Sequence, residues 1–239
     1  VIEIKGLLPS SLIEWEGKIA AVVFLPGCNF RCPWCHVPDI AFHPERLETI
    51  PFSCLKKLAK TQKGWLDGVV ISGGEPTIHH NLPQFIEKIR KLGLPVKLET
   101  NGSYPALLRT LIVEKLIASV AMDIKNRVDT EQTLYDKSCG VKVDIGKIRE
   151  SISLLVGSGI NCEFRTTVVP GFVDEEDIKK IAELISPLTK KVRLKYILQQ
   201  FSPQHAFKKE LRETVPYSPE VITKMVSSVR SLIPEVSSR

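Results

Sequence analysis

The sequence predicts an α/β protein built as an open, three-quarter TIM-like (β/α)6 barrel of parallel strands with extensions at both ends. Three observations predict it. Apolar, β-rich runs alternate with amphipathic stretches, the pattern of repeated βα units over a parallel sheet. Six such runs occur in the 239 residues, whereas a closed barrel takes eight in about 250. Each run also ends in residues unusual for a core, and the C-terminal strand ends are where α/β barrels keep their chemistry.

The elements follow in order. Residues 1–18 read as an N-terminal extension with its own strand, and the first core strand is Ile19 to Leu25, an unbroken apolar run. Then come a helix from Phe52 to Gly64, a strand from Gly68 to Ser72, a helix from Leu82 to Leu92 and a strand from Pro95 to Thr100. The series continues with a helix from Pro105 to Leu116, a strand from Ala118 to Ile124, a helix from Ile145 to Gly157 and a strand from Asn161 to Val168. A helix from Glu175 to Ile185 and a strand from Val192 to Leu198 complete the core. The polar run Asn126 to Glu131 has neither period and reads as a loop. A closing helix from Ser218 to Leu232 starts at Ser218-Pro219, a helix-opening pair. With no linker, repeat or low-complexity tract, the chain reads as one domain over 1–239, its core at 19–200 and a C-terminal extension at 201–239.

Composition narrows the function classes. A hydrophobic content of 43% with 25% charged residues is that of an ordinary soluble protein. No run of about 18 apolar residues occurs and the first residues lack a signal peptide's order, so the cytoplasm is expected and a membrane is not. The net charge of +6 is spread along the chain, so nucleic acid is not indicated. It would suit an acidic electron donor or a protein substrate through electrostatic steering.

The densest chemistry is in Gly27-Cys28-Asn29-Phe30-Arg31-Cys32-Pro33-Trp34-Cys35-His36. Cys28, Cys32 and Cys35 can hold three corners of a [4Fe-4S] cube, and a cluster ligated only by Cys normally takes four. One iron would then stay open to a further ligand. The alternative is zinc, which wants four protein ligands, usually as two separated pairs, and no second Cys pair exists. A disulfide scaffold does not suit six scattered cysteines in a chain of this size. Cys54, Cys139 and Cys162 lack a compact ligand spacing and read as small buried hydrophobes. His43, His79, His80 and His205 read as surface or loop residues, without a metal-binding pair among them.

The other strand ends carry the remaining candidates. Ser72-Gly73-Gly74-Glu75-Pro76 is either a turn or a place where two glycines let backbone carbonyls approach a protonated amino group. Glu99, Thr100 and Asn101, before Gly102, either cap a turn or face a pocket. Asp123 and Lys125 fall on one face, where the acid neutralises the base or the base meets an anion. Arg165 sits within an apolar run and needs a partner, structural or anionic. Gln199 and Gln200 end the sixth strand with amides suited to a mixed polar pocket. Trp34 either covers a bound group or packs.

The cysteine run, followed one strand and helix later by Gly73-Gly74-Glu75-Pro76, resembles the radical S-adenosylmethionine (SAM) enzymes. With Glu99-Thr100-Asn101-Gly102, Met122-Asp123-Ile124-Lys125 and Val168-Val169-Pro170-Gly171-Phe172, the chain is similar to the glycyl-radical-enzyme activases, including pyruvate formate-lyase activating enzyme. Gly6-Leu7-Leu8-Pro9-Ser10-Ser11-Leu12-Ile13 and Leu198-Gln199-Gln200-Phe201 look still more like the anaerobic ribonucleoside-triphosphate reductase activating proteins of the longer type. One departure is visible: Val37 stands where many activases have Asn after Cys-His.

The resemblance implies SAM chelated at the open iron of a [4Fe-4S] cluster, held by Cys28, Cys32 and Cys35. It implies reductive cleavage to a 5'-deoxyadenosyl radical that abstracts hydrogen from a glycine of a partner enzyme, with a flavodoxin or ferredoxin-type donor supplying the electron. It also implies SAM contacts from Trp34, Gly73, Gly74, Glu75, Glu99, Thr100, Asn101, Asp123, Lys125, Arg165 and Gln199. A radical enzyme acting on a small molecule, peptide or RNA base, and a non-catalytic metal-binding interaction protein, are the alternatives that the residues leave open.

Overall fold

Strand β2 (Ala20–Leu25) is buried along its whole length except for the half-buried Phe24, as an apolar run between two covering layers must be. It belongs to a sheet of eight strands ordered β1 to β8 as in the sequence. Strand β1 (Gly6–Ser11) runs antiparallel to β2, and the β2–β3, β3–β4, β6–β7 and β7–β8 pairs are parallel. This largely parallel α/β sheet agrees with the expected fold class. The computed structural model describes residues 2–128, 132–189 and 194–239, and the chain divides into two units.

The first unit is Val1–Asn29, Val37–Thr100 and Ala106–Val120. In it β3 (Gly68–Gly73) sets Val70 beside Val22 and Ile71 beside Val23, and β4 (Val96–Thr100) continues the register with Leu98 beside Ile71. Helix α1 (Pro38–Phe42) is one short turn, α2 (Phe52–Thr61) lies a few residues on, and α4 (Pro105–Val113) follows β4. Helix α3 (Leu82–Arg90) buries Leu82, Phe85, Ile86 and Ile89, the i, i+3, i+4, i+7 stripe of a helix against a sheet. The N-terminal extension covers the start of β3: a Cβ at Gly68 would sit 2.7 Å from the Trp15 ring. Lys97, buried in β4, ends its ammonium on the Glu14 carbonyl at 2.7 Å.

The second unit is Phe30–His36, Asn101–Pro105 and Ala121–Arg239. It receives the end of β5 (Ser119–Asp123), which lies beside β6 (Asn161–Val168) through Ile124 N–H donating to the Arg165 carbonyl at 2.8 Å. Helix α6 (Ile145–Ser158) starts on Asp144, whose carboxylate accepts from Lys147 N–H, and stops at the left-handed Gly159. Helix α7 (Glu175–Thr189) extends beyond the expected Ile185 and contains Pro187. Helix α8 (Pro219–Val229) matches the expected closing helix, with Pro219 in its first turn.

Several elements were not foreseen, the short α1 among them. Helix α5 (Gln132–Cys139) buries Tyr135, Ser138 and Cys139, so its inner face is helical in spacing but not aliphatic in chemistry. Strand β8 (Val236–Ser238), beside β7 (Lys195–Gln200), is too short to show alternation. The expected strand start at Val192, and Asp129 to Glu131 of the expected loop, lie outside the described residues. Among the described residues no helix is long and apolar enough to cross a membrane.

Behind the strand ends of the second unit, Tyr196 donates its hydroxyl hydrogen to Thr166 Oγ1 at 3.0 Å, and Thr166 donates to the Ile124 carbonyl at 2.9 Å. Both side chains are buried, and burial pushes the Tyr196 phenol well above its usual range although Thr166 opposes it. Tyr196→Phe should therefore lower unfolding stability by about 1 kcal/mol. Urea titration checks this, with an unchanged slope and a lower midpoint as the expected outcome.

Candidate functional site

In the first unit the exits of β2 and β3 are locked backbone to backbone. Gly74 N–H donates to the Leu25 carbonyl at 3.0 Å and Glu75 N–H to the Gly27 carbonyl at 2.8 Å. A Cβ at Gly74 would overlap the Gly27 carbonyl oxygen and stand 3.2 Å from Cys28 Cβ. A Cβ at Gly73, where φ is +125°, would collide with the Leu25 backbone. Any side chain at either position would thus push away the segment that leads into Cys28.

Glu75 holds this turn in place. Its side chain is 1% exposed, and Oε1 accepts from Thr77 N–H at 3.0 Å, Thr77 Oγ1 at 2.5 Å and Thr100 Oγ1 at 2.7 Å. A buried carboxylate needs such donors, and here they tie the β3 turn to the end of β4. Glu99, next to Thr100, is half-buried. His79, expected as a surface or loop residue, is half-buried, and its Nε2 lies 2.9 Å from the Pro26 carbonyl just before the cysteine run. Burial holds its imidazole below the usual range although that contact opposes the shift.

In the second unit Cys32 is buried and Cys35 half-buried, with Cys35 N–H donating to the Cys32 carbonyl at 3.0 Å. Trp34 is buried edge-on against Phe172, their ring centroids 5.2 Å apart. Lys125 Nζ contacts Asp123 Oδ2 at 2.6 Å, and Lys125 N–H donates to the Tyr135 hydroxyl at 3.4 Å. Burial works against the Lys125 ammonium, yet the Asp123 carboxylate and then the Cys32 sulfur hold it above its usual range. Arg165 pairs with Glu163, its Nε 2.6 Å from Oε1, both on the same face of β6. Asn101 Oδ1 accepts from Ser103 N–H at 3.0 Å and Ser103 Oγ at 2.6 Å, closing a turn, and Gln199 is half-buried in β7 opposite Thr167.

Sequence reasoning missed Cys139. It lies buried at the end of α5. Interaction with Cys139, helped by Lys125 and opposed by burial, holds the Cys32 thiol below the usual range, while burial pushes Cys139 well above it. Only the local polarity of Asp136 to Cys139 distinguished this thiol from Cys162, which burial, with a contribution from Glu163, raises to about 11.

The three-cysteine loop fits an iron-sulfur cluster by its donors. Cys28, Cys32 and Cys35 offer three thiols, the soft donors that such clusters take, and Cys32 is biased toward the thiolate, the form that binds metal. Among the described residues no three His, Cys, Asp or Glu side chains are grouped around a point as one ion requires. Cube corners need no such grouping, because each thiolate meets a different iron.

The model of the Radical SAM superfamily matches residues 22–185. A Methanocaldococcus jannaschii protein, MJ1227, which carries a glycyl-radical enzyme activating enzyme name, is 35% identical over 214 residues, 88% of this chain and 84% of its own. The pyruvate formate-lyase 2-activating enzyme of Escherichia coli is 26% identical over 215 residues, covering 74% of this chain and 70% of the other. Among solved structures, SuiB of Streptococcus suis shares the fold with a TM-score of 0.67 at 14% identity. That match covers 90% of this chain and 47% of SuiB.

The locked turn makes a test. Gly74→Ala should displace the Gly27 carbonyl and lower iron uptake on anoxic reconstitution at least several-fold. Gly157→Ala, in α6 with open space around it, should instead gain about 0.5–1 kcal/mol and load normally. Wild-type iron content in Gly74→Ala would show that the close approach is not needed.

Proposed function

We propose a function from one premise: the chain belongs to the radical SAM superfamily, in its glycyl-radical-enzyme activating branch. From that premise we propose that it binds a [4Fe-4S] cluster through Cys28, Cys32 and Cys35, and SAM at the iron they leave open. When bound, a reduced cluster would supply the one-electron reduction that splits the C–S bond of SAM into methionine and a 5'-deoxyadenosyl radical. The observation that carries this reading is the close approach of Gly74 to the Gly27–Cys28 backbone.

The side chains divide into holders and binders. Glu75 and Thr100 hold the β3 turn through their 2.7 Å hydrogen bond, and the Gly73 and Gly74 carbonyls are proposed to accept from the SAM amino group. Lys125 supplies a permanent positive charge for the SAM carboxylate, with Asp123 fixing its ammonium. Arg165 has five N–H donors, so its pairing with Glu163 is compatible with contact to the same anion. Asn101, Gln199 and Glu99 are proposed for the ribose and amino-acid end, and Trp34 for shielding the loop from water. Holding SAM and a glycine Cα–H in reactive proximity while excluding water is the protein's main contribution.

The proposed partner is a glycyl radical enzyme of the anaerobic ribonucleotide reductase type, because Gly6 to Ile13 and Leu198 to Phe201 carry that narrower likeness. The proposed electron donor is an acidic flavodoxin or ferredoxin-type protein, which the net charge of +6 would steer. Both belong in the cytoplasm, where thiols stay reduced.

Anoxically reconstituted protein with dithionite, SAM and the candidate reductase should form 5'-deoxyadenosine and the doublet electron paramagnetic resonance signal of a glycyl radical. Cleavage without a doublet on any glycyl radical protein would remove the partner assignment, and no cleavage would remove the radical reading. Lys125→Ala should raise the KM for SAM about 10- to 100-fold, the loss of one charged hydrogen bond of about 1.5–3 kcal/mol.

A further inference from the structure

Cys139 stands outside the proposed ligand set, yet it and the middle ligand Cys32 act on each other's thiols. The main chains touch as well: Arg31 N–H donates to the Cys139 carbonyl at 2.7 Å, and a Cβ at Gly140 would overlap the Arg31 carbonyl oxygen. Gly140, at φ +66°, lets α5 end against the residue preceding Cys32. Both sulfurs are shielded, Cys32 at 7% and Cys139 at 0% exposure, whereas Cys28 and Cys35 are half-buried. Two buried thiols that influence one another, carried by backbone segments joined at Arg31 and Cys139, are neighbours as a disulfide requires.

We propose that Cys32 and Cys139 form a disulfide when the protein without its cluster meets a peroxide, and that this bond is a reversible storage form of the cluster loop. The step balances. Each sulfur gives up one electron and its proton, the S–S bond forms, the peroxide O–O bond breaks, and hydrogen peroxide leaves as two waters. Without Cys139, a Cys32 sulfenic acid would lack this partner and would advance to the irreversible sulfinic acid. The bond withdraws one of the three thiolates, so a dithiol must reopen it before metal enters. The disulfide stands on this adjacency; its effect on metal loading rests on the proposed function.

The test uses the full chain, freed of metal, fully reduced, and treated with one equivalent of hydrogen peroxide under anoxic conditions. Thiols titrated after denaturation should fall from six to four, and peptide mapping without reductant should recover Cys32 joined to Cys139. The oxidised protein should take up less than about a tenth of the iron and sulfide bound by the reduced protein, and dithiothreitol should restore it. Treated with excess peroxide, at least two equivalents for each thiol, Cys139→Ala should lose the cross-link and accumulate Cys32 sulfinic acid. The wild-type map needs no variant to fold: Cys32 joined to Cys28 or Cys35, or Cys139 still open to alkylation, would overturn the proposal. If the cross-link forms but reduced protein also fails to take up iron and sulfide, the disulfide stands and the proposed function falls.

Discussion

The absence of a side chain at Gly74 is the constraint on which the first unit's site depends. The Gly27 carbonyl occupies the space a Cβ would need, and the hydrogen bond from Glu75 N–H fixes it there. The exit of β2, which leads into the cysteines, therefore cannot move independently of the exit of β3. Glu75 extends the same restraint to β4 through Thr100. Three successive strand ends thus share one set of backbone and carboxylate hydrogen bonds, and each bond is more valuable for being buried.

Charge in the second unit is handled by pairs two residues apart. Asp123 with Lys125, and Glu163 with Arg165, each put opposite charges on one side of the chain. Desolvating a lone ammonium or guanidinium would cost far more than such a pair does. The pairing also leaves a cation beside the Cys32 sulfur, favouring its ionised form.

Much of this was legible because the signals were local. The apolar run Ile19 to Leu25 could only be a buried strand, and it is β2 to within one residue. The stripe of Leu82, Phe85, Ile86 and Ile89 gave α3 its face. The buried Arg165 implied a partner, though not that Glu163 supplies it. What escaped depends on contacts between distant residues: Cys139 meets Cys32 only once α5 has folded, and Tyr135 and Ser138 disguise that helix's buried face. His79 reaches Pro26 across 53 positions of sequence. Val37, at the Asn position of many activases, leaves α1 without a side-chain cap, and Pro38 opens that helix without needing an acceptor. The difference is therefore absorbed locally.

Mössbauer spectroscopy of protein reconstituted with isotopically enriched iron tests the central claim most directly. A cube held by three cysteines has one iron unlike the others, and SAM should change the parameters of that iron alone. Four equivalent sites that ignore SAM, or a loop that takes zinc in preference to the cluster, would contradict the account.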